Sequence, residues 1–231
     1  VTGVFLQVRL DSTRLPRKAL LELAGVPVIV HAMAALRRVN AARHVLVTEP
    51  GSADEMRELA GRNGFELFVG PKANVLERFA LAAEDYGVTT IIRATGDNPV
   101  VSWELARLTA REQLLRGADY CALTGPPLGT GVEVFTAEAL VTAYRETRDP
   151  YDTEHVTPYL YKNSGRFRSL RIEAPPAYRA AEARVTLDTE ADYAYLSDLF
   201  AALYDGAAIP IRRLVRFCRD HGRGHYAGAN Q

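Results

Sequence analysis

Four cations, Arg9, Arg14, Arg17 and Lys18, stand within ten residues against one acid, Asp11, directly after the apolar run Val4–Val8. A buried strand feeding a basic loop is how an open α/β sheet offers cations to an anion at the carboxyl ends of its strands. A nucleoside triphosphate is the obvious anion. It carries about three to four negative charges, and one pair of unit charges at about 4 Å is worth roughly 4 kcal/mol at an effective dielectric near 20, so several cations are needed to hold it. Arg9, Arg14 and Lys18 recur at intervals of five and four. Arginine grips phosphate oxygens with a planar fork, lysine acts as a point charge, and Pro16 stiffens the loop before binding. The glycine pattern and the lysine–serine pair of a Walker loop are absent. A solvated loop that is merely basic is the plain alternative.

Two acids far downstream complement the cations. Asp97, in Thr95-Gly96-Asp97, and Asp188, in Leu187-Asp188-Thr189, each follow a predicted strand. Carboxylates converging on phosphates imply Mg²⁺, which takes oxygen ligands and is usually held by one or two carboxylates plus substrate oxygens. Each aspartate taken alone also suits a turn or cap. Gln7 and Arg93 end strands one and four: Gln7 is placed to read a base edge, Arg93 to contact base, phosphate or acceptor, or else to pair with a nearby acid. Glu133 is an acceptor contact or an outward solvated residue. His155, beside Glu154, is a candidate acid, base or ligand, with packing against aromatics as the alternative. His221 and His225 have metal-ligand spacing but fall in a glycine-rich tail, 221–231, expected to be flexible. Tyr151, Tyr159 and Tyr161 are expected in packing or a dimer contact.

The elements that must position these residues alternate. Val4–Val8 reads as a doubly covered strand. A short segment, Ala19–Gly25, precedes a helix opened by Pro27 and running to about Arg38. Strands at His44–Thr48, Phe65–Val69 and Thr89–Arg93 are separated by helices capped by Ser52 and Asn74. A helix at Trp103–Arg116, a strand at Asp119–Leu123 and a turn-rich break, 124–131, follow. Val132–Phe135 reads as a strand, Ala137–Thr147 as a helix, Phe167–Glu173 as an edge or excursion strand, Ala183–Leu187 as a strand, and Glu190–Tyr204 and 211–219 as helices. The pattern predicts an α/β fold: a mostly parallel twisted sheet with helices on both faces, and a small excursion around 124–175.

The chain has 231 residues, 48% of them hydrophobic, so it suits one large domain, 1–231. Lys plus Arg and Asp plus Glu are 28 each. Zero net charge gives no broad attraction to nucleic acid or membrane, so the cations act locally. No apolar stretch spans a bilayer and no secretion signal is visible, so a cytoplasmic location is expected. Cys121 and Cys218 do not suggest a disulfide or zinc framework.

The segments Gln7–Lys18, Arg93–Pro99, Val132–Phe135, Asp149–Tyr159 and Val185–Asp192 together resemble the cytidylyltransferase superfamily. The nearest branch is that of the spore coat polysaccharide biosynthesis protein SpsF, related to CMP-Kdo and CMP-sialate synthetases. The resemblance implies a GT-A-like nucleotide-diphospho-sugar transferase fold, phosphates held by Arg9, Arg14 and Lys18, and Mg²⁺ on Asp97 and Asp188. The full set expected at the nucleotide is Leu6, Gln7, Arg9, Arg14, Lys18, Arg93 and Gly96, with Glu133 and His155 at the acceptor. Related synthetases pair as homodimers through a segment that corresponds to about 124–175. The family's usual glycines are replaced by Asp11 and Arg17, and its Arg-Gly-Leu-Asp by Leu128-Gly129-Thr130-Gly131. The expected reaction is CTP plus a sugar acid or related small anionic acceptor giving a CMP-linked product and pyrophosphate, for surface polysaccharide or glycoconjugate precursors. A glycosyltransferase using a nucleotide sugar and a non-catalytic nucleotide-binding subunit are the alternatives. A triphosphate demands more cation than a nucleotide-diphosphate sugar, which separates the first two.

Overall fold

The computed structural model describes residues 1–221. In chain order the elements begin with β1 (Thr2–Gln7), the hairpin β2 (Glu22–Leu23) and β3 (Val26–Pro27), α1 (Val28–Leu36), β4 (Arg43–Thr48), α2 (Ala53–Arg62), β5 (Glu66–Val69), α3 (Val75–Asp85) and β6 (Thr90–Thr95). They continue through α4 (Trp103–Arg116), β7 (Tyr120–Thr124), β8 (Glu133–Thr136), α5 (Ala137–Glu146), α6 (Pro150–His155), α7 (Pro158–Lys162), β9 (Ser169–Glu173), α8 (Glu190–Leu203) and α9 (Ile211–Asp220). Seven strands form one sheet in the order β5-β4-β1-β6-β8-β7-β9. All pairs are parallel except those that β8 makes with β6 and β7.

The sheet is covered on both sides because β1 is apolar on both. Val4 and Leu6 face α1, α2 and α4 through Ile29, Met33, Met56 and Trp103. Phe5 faces α3 and α5 through Leu76, Phe79 and Leu140. A third core joins Val185 and Leu187 to α8 and α9. Fully burying one Leu or Phe contributes about 1.5–3 kcal/mol, so these layers hold the strand ends that carry the site. Local signals start the helices: Asn74, Ser102 and Thr136 accept from the backbone N–H three residues on, and Thr189 with Asp192 forms a reciprocal capping box.

Several expectations are corrected. Pro27 is the residue before α1, which stops at Leu36 rather than Arg38. The segment closed by Gly25 is a tight hairpin, its two turn residues Ala24 and Gly25 at φ 50 and 75. Residues 124–175 leave the sheet between two strands of their own. They supply β8, inserted between β6 and β7, and the edge strand β9, while α5 and α7 pack on one face. The polar, aromatic stretch 149–161 holds the short helices α6 and α7. Ala183–Leu187 is not a strand but makes one bridge, Arg184 to Leu128. Gly129, at φ 101, turns the partner away after that one pair, and a Cβ there would stand 2.9 Å from Thr186 Cγ2. The expected tail at 221–231 lies, from residue 222 and including His225, outside the described residues.

Candidate active site

The carboxyl ends of β1 and β6 open into a cleft of about 260 Å³. Gln7, Arg9, Arg14, Lys18, Arg93, Asp97, His155 and Asp188 all line it, together with Glu154. Eight of the expected site residues therefore meet in one place. β1 and β6 are adjacent and in register, Gln7 opposite Thr95, so the basic loop leaves the sheet beside Asp97.

Lys18 is the centre of the cluster. Its ammonium lies 2.6 Å from Asp97 Oδ2 and 2.8 Å from Asp188 Oδ1, and donates to the Leu187 carbonyl at 2.8 Å. Burial opposes its charge, but Asp97 and Asp188 outweigh that, and its pKa is raised. Burial likewise opposes charge on Asp188, and Lys18, Arg184 and Arg14 overcome it, holding the carboxyl below its ordinary value. Arg14 is 3.5 Å from Asp188 Oδ1. Arg184 takes the other oxygen, Oδ2, which also accepts from Thr186 at 3.3 Å. The backbone N–H groups of Asp188 and Thr189 donate to Asp192 at 3.0 and 2.9 Å, so the capping box of α8 fixes the turn that presents Asp188.

The loop backbone is specialised too. Arg17 has φ 56, the left-handed region where a side chain costs about 1–2 kcal/mol and glycine does not. Its guanidinium grips Glu55 outside the cleft. Asp11 turns to Lys72 at 2.9 Å and does not line the cleft. Its negative charge is thus turned out of the cleft toward Lys72. Arg9 is held by Glu154 at 3.5 Å and by Asp11 at 3.9 Å.

Strand alternation sorts the remaining residues. Leu6 is buried between Leu46 and Ala94 and lends no side chain to the cleft. The resemblance places it at the nucleotide, but adjacent strand residues face opposite ways and its side chain points into the core, away from that of Gln7. Gly96 also lies outside the cleft lining. A Cβ there would stand 3.2 Å from the Gln7 carbonyl and 3.1 Å from Ile29 Cδ1, so its role is close approach of the two strand ends. Arg93 ties the Gln7 amide oxygen, at 3.0 Å, to Glu133. Glu133 further accepts from Tyr120 at 2.8 Å and Thr157 at 2.7 Å. It is half-buried and lines a neighbouring hollow; it neutralises Arg93 and pushes the Tyr120 hydroxyl pKa up, burial being the larger cause.

His155 packs against Tyr151 with ring centroids 4.3 Å apart and the planes tilted by 50°. Its neighbour Val156 has φ 73 and ψ −54, with Thr157 N–H donating to the His155 carbonyl at 2.9 Å. This is a strained three-residue turn in a β-branched residue. It sends His155 to the cleft and Thr157 to Glu133. Sequence reasoning missed Glu154, Arg184 and Asp192 as site residues. Arg184, Thr186 and Asp188 share a period of two, a signal that one face of an extended segment was polar.

The two carboxylates suit Mg²⁺ by donor type, and the Lys18 ammonium lies between them. No group of three or more His, Cys, Asp or Glu poised for a metal occurs among the described residues. Phosphate oxygens and water would complete such a site. No described helix is long and apolar enough to cross a membrane.

Strands that end in a cation cluster backed by two acids define a nucleotide-handling α/β transferase. The comparisons narrow this. A family model described as cytidylyltransferase matches residues 4–212, and the chain belongs to that family. It is 34% identical over 203 residues to the spore coat polysaccharide biosynthesis protein SpsF of Bacillus subtilis, covering 84% of each chain. It superimposes on a cytidylyltransferase from Leptospira borgpetersenii with TM-score 0.85 and 25% identity, over 95% of this chain and 94% of that one. It shares the fold of a CMP-2-keto-3-deoxy-manno-octonic acid synthetase complexed with CTP, with TM-score 0.67 and 15% identity over 87% and 98%. The SpsF-like resemblance and the GT-A-like fold therefore hold, and nucleotidyl transfer stands over the glycosyltransferase alternative.

Proposed function

We propose that this protein transfers CMP from CTP to a hydroxyl of a small anionic acceptor, releasing pyrophosphate, and so supplies activated precursors for surface polysaccharide. The observation that carries the reading is the meeting of Lys18 with Asp97 and Asp188, and of Arg14 with Asp188, in one cleft at the strand ends. The relatives support it through the role named for SpsF and the CTP bound by the synthetase.

In this mechanism Arg9, Arg14 and Lys18 leave their carboxylate partners for the phosphates of CTP, exchanging one set of ion pairs for another. The acceptor oxygen attacks the α-phosphorus. The new O–P bond forms as the α–β bridging bond breaks, the electron pair leaves with pyrophosphate, and the hydroxyl proton passes to water. The cations offset charge on the transferring and leaving groups. Asp97 and Asp188 would hold Mg²⁺, which when bound offsets phosphate charge and polarises the α-phosphoryl group. A homodimer through part of 124–175 belongs to the same reading; β9 leaves an open sheet edge there.

Pyrophosphate release with CTP, Mg²⁺ and a panel of sugar acids tests the proposal. Turnover is expected with CTP over the other nucleotides and is lost in Asp97→Asn. Equal release in Asp97→Asn, or no release with any nucleotide, rejects it.

A further inference from the structure

The loop that carries Arg9, Arg14 and Lys18 is held from behind. Arg17 N–H donates to the Leu10 carbonyl at 3.2 Å, so residues 11–16 form a closed loop whose base is the Leu10–Arg17 pair. Arg9 and Lys18 flank that base, and Arg14 lies within the loop. Leu10 is buried, and its other backbone group, the N–H, donates to Ser52 Oγ at 3.0 Å.

Ser52 stands directly before α2, where the sequence predicts a helix cap. Its side chain makes no capping bond. The hydroxyl donates instead to Glu49 and accepts from Leu10, 42 residues away. Glu49 is itself fixed, because its other oxygen accepts from the Gly51 N–H at 2.6 Å. Ser52 is 1% exposed and Glu49 2%, and Arg78, equally buried, offsets the carboxylate charge. A serine that leaves its helix uncapped, and a buried carboxylate that orients its hydroxyl, both cost stability locally. What they provide is a partner for the buried Leu10 N–H.

A second tie runs to the same segment. The Arg17 guanidinium grips Glu55 through two nitrogens, on the surface. Exposed ion pairs contribute little, whereas a buried N–H left without a partner carries its full desolvation cost, so the Ser52 tie is the stronger. Glu49, Ser52 and Glu55 all lie outside the lining of the cleft.

We infer that Glu49 and Ser52 are positioning residues for nucleotide binding: through the Leu10 N–H they set the place from which Arg9, Arg14 and Lys18 reach the phosphates. This rests on the cytidylyl-transfer reading, in which those cations hold CTP. A misplacement of about 1 Å can cost about 100-fold even when the change lies far from the chemistry. Loss of one bond at the loop base is therefore felt at CTP, although neither residue touches it.

The test measures the CTP dissociation constant by calorimetry with Mg²⁺, well below the unfolding temperature, and amide hydrogen exchange over residues 8–18 and over α2. Ser52→Ala should weaken CTP about tenfold, and Ser52→Thr, which keeps the hydroxyl, should recover most of the loss. Glu49→Gln keeps the volume but frees the hydroxyl to turn, and should fall between wild type and Ser52→Ala. Glu55→Gln should cost no more than about threefold. In Ser52→Ala the loop amides should exchange faster while those of α2 stay at the wild-type rate, because no cap is removed. Unchanged CTP affinity in Ser52→Ala, faster exchange confined to α2, or a loss in Glu55→Gln as large as in Ser52→Ala overturns the inference. A wild-type protein that binds no CTP instead removes the cytidylyl-transfer reading, and the exchange comparison then decides the loop tie by itself.

Discussion

Replacing Lys18 by Met removes the ammonium between Asp97 and Asp188 while keeping a side chain of similar reach. Since Nζ is 2.6 Å from one acid and 2.8 Å from the other, the two oxygens lie no more than about 5.4 Å apart. Two unit charges at about that distance repel by roughly 3 kcal/mol at an effective dielectric near 20. Both acids keep water contact, at 32% and 20% side-chain exposure. With that screening the expected net loss of stability is about 1–2 kcal/mol, or about 3–6 °C in Tm for a domain of this size. Mg²⁺ should restore more stability to the variant than to the wild-type chain, because no ammonium competes for the same oxygens. Turnover with CTP should nevertheless fall about 100-fold or more, since a charge contact to the phosphates is lost. Thermal unfolding with and without Mg²⁺, run beside pyrophosphate release, reads all three. An unchanged Tm without metal would show that the ammonium does not hold the acids. Equal Mg²⁺ shifts would place the metal elsewhere, and unchanged turnover would remove Lys18 from phosphate handling.

Three further outcomes are expected. Arg184→Met frees Asp188 Oδ2 from its guanidinium partner, so by the same competition the Mg²⁺ concentration for half-maximal turnover should fall several-fold, with Arg184→Lys nearer the wild-type value; an unchanged Mg²⁺ titration refutes the competition. Asp11→Ala removes an exposed partner of Lys72 that does not line the cleft, so CTP KM should stay within about threefold, and a larger change would return Asp11 to the phosphate site. His44 and His31 are both held below the ordinary imidazole value, mainly by burial, His44 also by Arg37, which donates to its Nδ1 at 3.0 Å. Folded-state values below the unfolded one mean that the unfolded chain binds more protons once pH falls past about 6.5. The stability given by the neutral rings is complete above that pH and is lost as pH falls toward the folded values. Tm should therefore drop between about pH 7 and pH 5, less steeply in His44→Gln, and equal slopes would contradict it.

Much of this molecule was legible before any coordinates. Strand alternation, capping residues and glycine stops are local, so β1, β4, β6, α3, α4 and α8 fall close to where the residues place them. The cation spacing after β1, Asp97 past the end of β6 and Asp188 at the end of a polar-alternating extended segment also announce themselves locally, and the cleft brings them together. What the sequence alone determined was therefore the set of chemical groups and the strands that deliver them.

Only the tertiary structure decided which groups touch. The Lys18–Asp188 contact joins residues 170 positions apart, and no local pattern encodes such a pairing. The reversed insertion of β8 between β6 and β7 sets Glu133 opposite Arg93, so the residue expected at the acceptor also serves as the counter-charge of Arg93. Register assigned Leu6 to the core, and Arg17's left-handed backbone explains why a glycine would suit a position that here holds a charged side chain. The physical reason is common to all of these: strand order, register and ion-pair choice are settled by competition among distant partners for burial and charge, and that competition exists only once the chain is packed.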